Sequence, residues 1–457
     1  SDREALMLDK ASSGDVMKNS EYQTNQINAQ LSRKISEKWQ SVTEAIYTFN
    51  PDVETPGNYW GSYGQSKKDV DRINVYESLK RSDKNNTFTL SPYYANEKIA
   101  NYTDISDTGF VSFRSLVKQY GAKISDVHRL GKLITLVGAD VDVYDYSSTR
   151  YSQKAVKGVS YNPDNKNVKS AVLAQLSYSA DRFDVNAGTR FSYISYETKV
   201  DTLLKEKGGN ADYNVTTPSI GAQYLVTKNI KAHGSYGTAF SVPDAFKTNG
   251  SFSISQYFPK WKYWYVKNYV GNQDLKPEHS ATVDFGVNYS LPRHLLNIDL
   301  TGFQTEHKDK IVEYSAGKDT TTFKNADKAT MKGLELMLST DMGALFDNSF
   351  KLELYATYTH MFENKVTLTV KTKSASDSSV TQEMLYTRAD NGNFGIYFDN
   401  NKGFATRLHA RYIGTRLETD NYSSLRPGIK TKDYYAKGGY TAKDKILKHP
   451  DYLVFDY

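Results

Sequence analysis

Residues 295–303 read LLNIDLTGF, and the stretch just before them, 279–290, reads HSATVDFGVNYS. In the first, Leu296, Ile298 and Leu300 fall on one side of an extended chain and Asn297, Asp299 and Thr301 on the other. In the second, Val283, Phe285, Val287 and Tyr289 oppose Asp284, Gly286 and Asn288. This is the period of two that arises when successive side chains point to opposite faces of a sheet. The pattern returns in Leu334, Leu336 and Leu338 against Gly333, Glu335 and Met337. It returns again in Phe350, Leu352, Leu354, Ala356 and Tyr358 against Lys351, Glu353, Tyr355, Thr357 and Thr359. One face is dry and the other wet.

A soluble β-sandwich also alternates, but it closes after about 100 residues, whereas here the pattern is sustained through most of 457 residues without a helical interlude. A closed barrel with lipid outside and water or a plug inside accounts for both the alternation and its length, because a closed ladder satisfies its backbone groups in hydrocarbon. The expected fold class is therefore all-β, a large antiparallel transmembrane β-barrel.

Composition agrees. Mean hydropathy is -0.62, and apolar runs such as Leu133 to Ala139 fall far short of the roughly 20 residues of a helical span. A barrel strand gives only about half of its roughly 10 residues to lipid, so a hydrophilic average is expected. The 36 Tyr, 20 Phe and 4 Trp suit girdles in which a ring sits in lipid and a phenol at the headgroups. With no Cys at all there is no disulfide framework, thiolate metal site or cysteine nucleophile. The net charge of +6 is spread over scattered basic residues, which leaves no nucleic-acid footprint. Ser1 to Leu8 lacks the basic-then-apolar plan of a secretory leader, so the chain reads as a mature form or a fragment.

Connections alternate short and long. Short ones lie at 179–182, 226–229, 290–294 and 400–403; long ones, rich in Gly, Asn, Asp, Ser and Lys, lie near 50–68, 146–167, 197–212, 241–278, 363–390 and 413–449. Tight turns on one side and long loops on the other are the plan of outer-membrane barrels. Less regular strands are read near 24–35, 39–49, 70–81 and 86–95. Regular ones follow at 132–146, 168–178, 182–194, 214–226, 229–240, 279–290, 294–307, 321–340, 349–362, 391–399 and 402–412. The total is about 18 strands, with ends uncertain by about two to four residues, in one domain over 1–457. On the wet face, Asp140 and Asp142 share one strand, Arg190 stands in another, and Arg407, His409 and Arg411 share a third. They read either as the ion-pair network of a polar lumen or as charges that hold a plug or guide an anionic ligand.

Three segments carry a resemblance. At 236–250 the chain reads YGTAFSVPDAFKTNG, at 270–279 VGNQDLKPEH, and at 324–336 KNADKATMKGLEL. In order and spacing they resemble barrel motifs of TonB-dependent outer-membrane receptors, and TTPSIGAQYLVTKNIKAHGSYGTAF resembles the strand pair before the first. By mechanism they are structural: Pro243 ends a strand because it donates no ladder bond, Gly271, Asn272 and Asp274 make a turn, Pro277 pre-sets the backbone, and Glu278 opens the next strand.

The resemblance covers the chain well from about 130 to the end. It implies a barrel of about 22 strands, against about 18 visible, and a plug domain whose coupling box, Ile-Arg-Gly motif and Asp-Gly turn are not found. The domain is thus read as a barrel incomplete at one or both ends, with HPDYLVFDY at 449–457 as a strand short of closure or as a terminal one. The implied function is uptake of a scarce nutrient complex, foremost an iron–siderophore, at a Gram-negative outer membrane. The implied partners are a plug in the same or a separate chain, the inner-membrane TonB complex, outer-membrane lipid and lipopolysaccharide, and a small-molecule ligand, with no nucleic acid. No intrinsic cofactor is expected; the metal complex is cargo. Cobalamin and haem receptors, and a passive porin, remain alternatives. Haem is demoted because no His lies between Pro243 and Asn272.

The loop QYFPKWKYWYVKNYVG at 256–271 holds Tyr257, Trp261, Tyr263, Trp264 and Tyr265 among Lys260, Lys262 and Lys267. Aromatics with interleaved cations suit a planar, anionic ferric catecholate; an aromatic rim at the membrane boundary explains the same composition. An enzyme finds no support, with neither a G-x-S-x-G elbow nor His-rich metal spacing. NPDNKN at 162–167 reads as a turn rather than a calcium loop.

Overall fold

In the computed structural model, the described residues are 20–55, 66–106, 109–158, 160, 162–200, 208–258, 263–292, 295–317, 319–371, 377–419, 435–441 and 444–456. The strands run in order β1 (Asn25–Lys34), β2 (Trp39–Thr55), β3 (Ser66–Ser82), β4 (Asn86–Tyr102), β5 (Val111–Leu130), β6 (Leu133–Gln153), β7 (Val156–Gly158), β8 (Asn165–Ser179), β9 (Phe183–Thr198), β10 (Gly209–Leu225) and β11 (Ile230–Ser241). Helix α1 (Ala245–Asn249) precedes β12 (Ser251–Phe258), β13 (Tyr263–Val270), β14 (Glu278–Ser290), β15 (Leu296–Gly317) and β16 (Thr320–Asp341). Helix α2 (Met342–Leu345) leads to β17 (Lys351–Lys371), β18 (Asp377–Glu383), β19 (Asp390–Asp399), β20 (Ala405–Ile413), β21 (Arg416–Thr419), β22 (Ile446–His449) and β23 (Tyr452–Asp456).

Of these, 21 strands form one sheet, while β21 and β22 pair separately. The sheet is an up-and-down antiparallel meander that forms the wall of a β-barrel; the strands of the long loops stand outside that order, so β6 pairs with β8, β11 with β14, β17 with β19 and β20 with β23, and β13 makes a short parallel pairing with β16. Among the described residues no ladder joins β1 to β23. Both run toward the short-turn end, so these two edges point the same way.

The registers carry one face around the whole sheet. Ile27 pairs with Tyr47 and Tyr47 with Ile73, and the same face holds Tyr120, Val172, Phe191, Ile220, Phe285, Leu300, Leu336, Phe394 and Leu408. These residues are exposed: Phe285 is 64% and Val287 43% accessible, while Gly286 between them is buried. A soluble protein inverts that relation. Among the described residues the buried hydrophobic cluster is small, Leu417, Tyr440 and Ile446 with Leu385 and Tyr435 against it, and it lies at the long-loop end. The apolar residues therefore face lipid instead of each other.

The belt has the height of a membrane. From Phe183 to Tyr193 the outward face of β9 climbs about 33 Å along the strand, which a tilt of about 40° reduces to about 25 Å, the apolar band of outer-membrane barrels. Two rows of exposed tyrosine bound it. Tyr178, Tyr224 and Tyr289 lie beside the short turns, and Tyr47, Tyr94, Tyr120 and Tyr193 lie nearer the long loops.

The strands expected from alternation are present, and their short turns are where turn chemistry put them. The β5–β6 turn uses Gly131 at φ 62, and the β19–β20 turn uses Asn401 at φ 54, conformations that suit Gly and Asn. Two features differ. β5 lacks a clean alternation and was not delimited from sequence. Several long loops also contain strands: β12 and β13 within 241–278, β18 within 363–390, and β21 and β22 within 413–449. Above the belt both faces meet water, so the pattern that marks a strand within the membrane disappears although the backbone pairing continues.

Candidate functional site

The inward face of β4 to β9 gathers charged and polar side chains from five strands. Asp140 on β6 pairs with Ala171 on β8, and Ala171 with Ser192 on β9. Since Ala171 offers only a methyl, Arg190, two residues from Ser192, reaches over it. Its Nη1 and Nη2 donate to the two oxygens of Asp140 at 2.7 Å each, and its Nε donates to Ser192 Oγ at 3.2 Å. This two-pronged geometry is the strongest an arginine makes with a carboxylate. The side chains are 38% and 17% exposed, which holds the pair to about 1–2 kcal/mol.

Asp142 is satisfied otherwise. Gln119 Nε2 donates to it at 2.8 Å, and the Tyr93 hydroxyl donates as well. Tyr93 crosses Gly121, which pairs with both Tyr93 and Asp142; a Cβ at Gly121 would stand 2.8 Å from the phenol oxygen and 2.2 Å from the Val141 carbonyl. A glycine is required for that crossing. With Lys123 and Lys169, for which no ion pair is present among the described residues, these groups line a cavity of about 720 Å³ that is rich in charge.

Across β17 to β20 the same inward face is arranged differently. The ring of Tyr355 lies where a Cβ of Gly395 would be, stacks on His409 at 6.1 Å, and carries the Arg407 guanidinium 5.7 Å from its centroid. Arg411 pairs in register with Asn393 and Val454. Among the described residues no carboxylate forms an ion pair with Arg407 or Arg411, while His409 stands 3.6 Å from Asp456.

The three sequence motifs meet at the rim. Pro243 is fully buried after the end of β11, and Asp244 caps α1 by accepting from Lys247 N at 2.8 Å. Lys247 O then accepts from Asn272 N at 2.8 Å. Asn272 Nδ2 donates to Phe323 O at 2.9 Å. Asn325 accepts from Lys276 N and donates to Lys276 O, both at 2.9 Å, and reaches Asp309 O at 2.6 Å. Glu278 accepts from Ile311 N at 2.6 Å, and Leu275 is 3% exposed. The motifs form a brace that ties the 242–277 connection onto β15 and β16, each polar side chain doing the work of a missing ladder bond.

Beside this brace lies a cavity of about 400 Å³ lined by Tyr144, Tyr146, Asn165, Asn167, Tyr196 and Phe246 among others. Sequence reading missed it; the signal was the alternation Tyr144, Tyr146 and Asn165, Asn167 at strand ends that later proved adjacent. NPDNKN, read as a turn, is instead a bend at Asn162 that runs into β8 from Asn165, with Asp164 accepting from Ser148 N at 2.8 Å and Asn165 donating to Pro163 O at 2.9 Å.

The aromatic run that sequence placed in a loop is a hairpin in its backbone. Tyr257 on β12 pairs with Trp264 on β13, Gln256 with Tyr265, and Phe258 with Tyr263. Trp261 falls in the tip at 259–262, outside the described residues, as do the side chains of Tyr257, Tyr263, Trp264 and Tyr265. At the base of the hairpin, Lys267 Nζ lies 4.6 Å from the Tyr269 ring.

A lipid-facing belt, a charged inner face, tight turns at one end and braced long loops at the other define an outer-membrane-type transmembrane β-barrel. The family model for the TonB dependent receptor-like beta-barrel matches residues 11–457, and the chain belongs to that family, whose members are receptors and transporters of Gram-negative outer membranes. Among solved structures, the copper transporter OprC superposes with a TM-score of 0.68 at 13% identity, over 99% of this chain and 65% of that one. The ferric yersiniabactin uptake receptor FyuA from Yersinia pestis does so at 0.64 and 13%, over 100% and 65%. These likenesses concern the fold. A rhizobactin receptor of Rhizobium meliloti (strain 1021) is 25% identical over 152 residues, 29% of this chain and 20% of that protein. The chain therefore matches about a fifth of that relative's length and about two thirds of the solved receptors.

Proposed function

We propose that this chain is the barrel of a receptor that takes up an iron–siderophore complex across a Gram-negative outer membrane. In this reading a plug domain, in the same or another chain, fills the lumen and is worked by the inner-membrane TonB complex. The observation that carries the cargo assignment is the aromatic and lysine-bearing hairpin β12–β13, raised at the long-loop end, with Lys267 against Tyr269 at its base. Aromatic rings and cations together bind a planar anionic chelate through stacking, cation–π and charge contacts. The inward Arg407 and Arg411 and the partial likeness to a rhizobactin receptor support the same cargo class.

The test is a titration of the purified chain with ferric catecholate, ferric hydroxamate and cobalamin, read by tryptophan quenching, since two of the four tryptophans, Trp261 and Trp264, belong to this hairpin. A ferric chelate is expected to quench and saturate. Trp261→Ala and Trp264→Ala, followed by a bound-iron assay, are expected to weaken it more than tenfold. Unchanged affinity would make the aromatics a membrane rim, and preference for cobalamin would replace the cargo.

A further inference from the structure

The cavity of about 400 Å³ beside the motif brace has the size of a small-molecule site, about 300–1,000 Å³. Register builds it on the inward face at the long-loop end: Tyr144 on β6 pairs with Asn167 on β8 and Asn167 with Tyr196 on β9, while Tyr146 pairs with Asn165. Asp244 and Phe246 of the α1 segment line another side, and Phe246 packs edge-on against Phe323 at 5.5 Å.

Asn167 is 5% exposed. Its side chain hydrogen-bonds the Tyr196 phenol, and its Oδ1 is buried with no donor among the described residues. An acceptor at that depth is costly unless something donates to it. The charge around it is negative. Asp244 is the charged residue of the lining; Lys247, which pairs with Asp244 at 3.2 Å, stands outside it, and Lys169, two residues below Asn167, lines the lower cavity. Burial, and then the Asp244 charge, push the Tyr196 phenol up, with no basic residue among the described residues opposing them.

Aromatic rings, an orphan acceptor and a carboxylate without a lining cation suit a positively charged donor. An ammonium offers three N–H groups and no acceptor, and its charge is drawn to π-faces. A neutral, hydroxyl-rich ligand satisfies the acceptor but gains nothing from Asp244. We propose that this cavity binds a primary alkylammonium, its N–H groups donating to Asn167 Oδ1 within reach of the Asp244 charge and its stem among Tyr144, Tyr196 and Phe246. The site is separate from the β12–β13 hairpin and does not depend on the cargo being an iron chelate.

The test titrates the full chain, purified in detergent, with n-pentylammonium, 1-pentanol, pentanoate and glucose by calorimetry, with empty micelles as the blank. Migration on unheated gels verifies that each variant is folded. Pentylammonium is expected to bind at least tenfold more tightly than the other three. Asn167→Leu, which matches the amide in size and removes the acceptor, should weaken it at least fivefold. Asp244→Asn, which keeps a capping side chain on α1 and removes the charge, should weaken it about fivefold, and it decides the matter if Asn167→Leu does not fold. Equal binding of 1-pentanol, tighter binding of glucose, binding of no probe, or unchanged affinity in either folded variant would overturn the proposal.

Discussion

On the wall from β4 to β9, Arg190 is gripped by both oxygens of Asp140, and Asp142 is held by Tyr93 and Gln119. On the wall from β17 to β20, which presents the same inward face, Arg407 rests on the ring of Tyr355 and Arg411 stands beside Asn393, with no carboxylate answering either among the described residues. The arginines of the two walls are committed differently, although on the first wall Lys123 and Lys169 also form no ion pair among the described residues. A paired charge resists motion and contributes to stability; an unpaired cation in a low-dielectric cavity keeps its field for a passing anion. The Asp140–Arg190 pair is scaffold, and Arg407 and Arg411 are the better candidates among the arginines for guiding cargo.

Three experiments bear on that contrast, beginning with the largest effect. Asp140→Ala strands Arg190 against Ala171 and should cost about 2 kcal/mol in urea unfolding from lipid vesicles. The double variant with Arg190→Ala should cost less than the two single changes added, as a coupled pair requires. Additive losses would mean that the pair contributes nothing. Next, Arg407→Ala with Arg411→Ala should leave stability within about 0.5 kcal/mol and weaken an anionic ferric chelate about tenfold, or about 1.4 kcal/mol. A stability loss matching that of Asp140→Ala would erase the distinction between the walls.

The smallest effect concerns the roof of the second wall, where Tyr435 and Tyr440 pack with Leu417 and Ile446 in the long-loop region. Burial, and then the hydrogen bond from Tyr435 to Glu383 at 2.8 Å, push the Tyr435 phenol up to about 12; burial first, and then the Glu383 charge, do the same for Tyr440. Because these phenols are harder to ionise in the folded loop than in an unfolded chain near 10, their contribution is complete below pH 10. It is lost as pH rises from 10 to 12. Limited proteolysis of this region should accelerate across that window, and Tyr440→Phe should blunt the change. Burial also pushes Tyr196, in the cavity above the first wall, up to about 12, so the loops there should cleave faster across the same window, but without responding to Tyr440→Phe.

The membrane-spanning part was legible because two signals coincide there. Lipid on one side forces alternation, and tight turns force residues that tolerate positive φ at fixed places, as at Asn401 in the turn read at 400–403. The motif brace was legible in mechanism: Pro243 stops β11, and Glu278 opens β14. What the sequence could not disclose were partnerships across an intervening strand. That Asp140 meets Arg190 depends on register through β8 and on Ala171 being small; that Arg407 meets a tyrosine ring depends on Gly395 lying beneath it. Both arginines look alike in a linear reading. The cavity around Asn167 was hidden for the same reason, because its walls come from three strands and α1.

A transmembrane barrel requires the outward face of the sheet to meet lipid, and the absence of native cysteine makes that directly measurable. Single cysteines placed in turn at positions 283 to 288 of the chain in lipid vesicles would carry an environment-sensitive fluorophore, challenged with a quencher in the lipid tails and then with one in water. The labels at 283, 285 and 287 are expected to be quenched from lipid and shielded from water, and those at 284, 286 and 288 to show the reverse. Equal aqueous quenching at all six positions, or an apolar face closed to both quenchers as in a protein interior, would contradict the barrel and everything built on it.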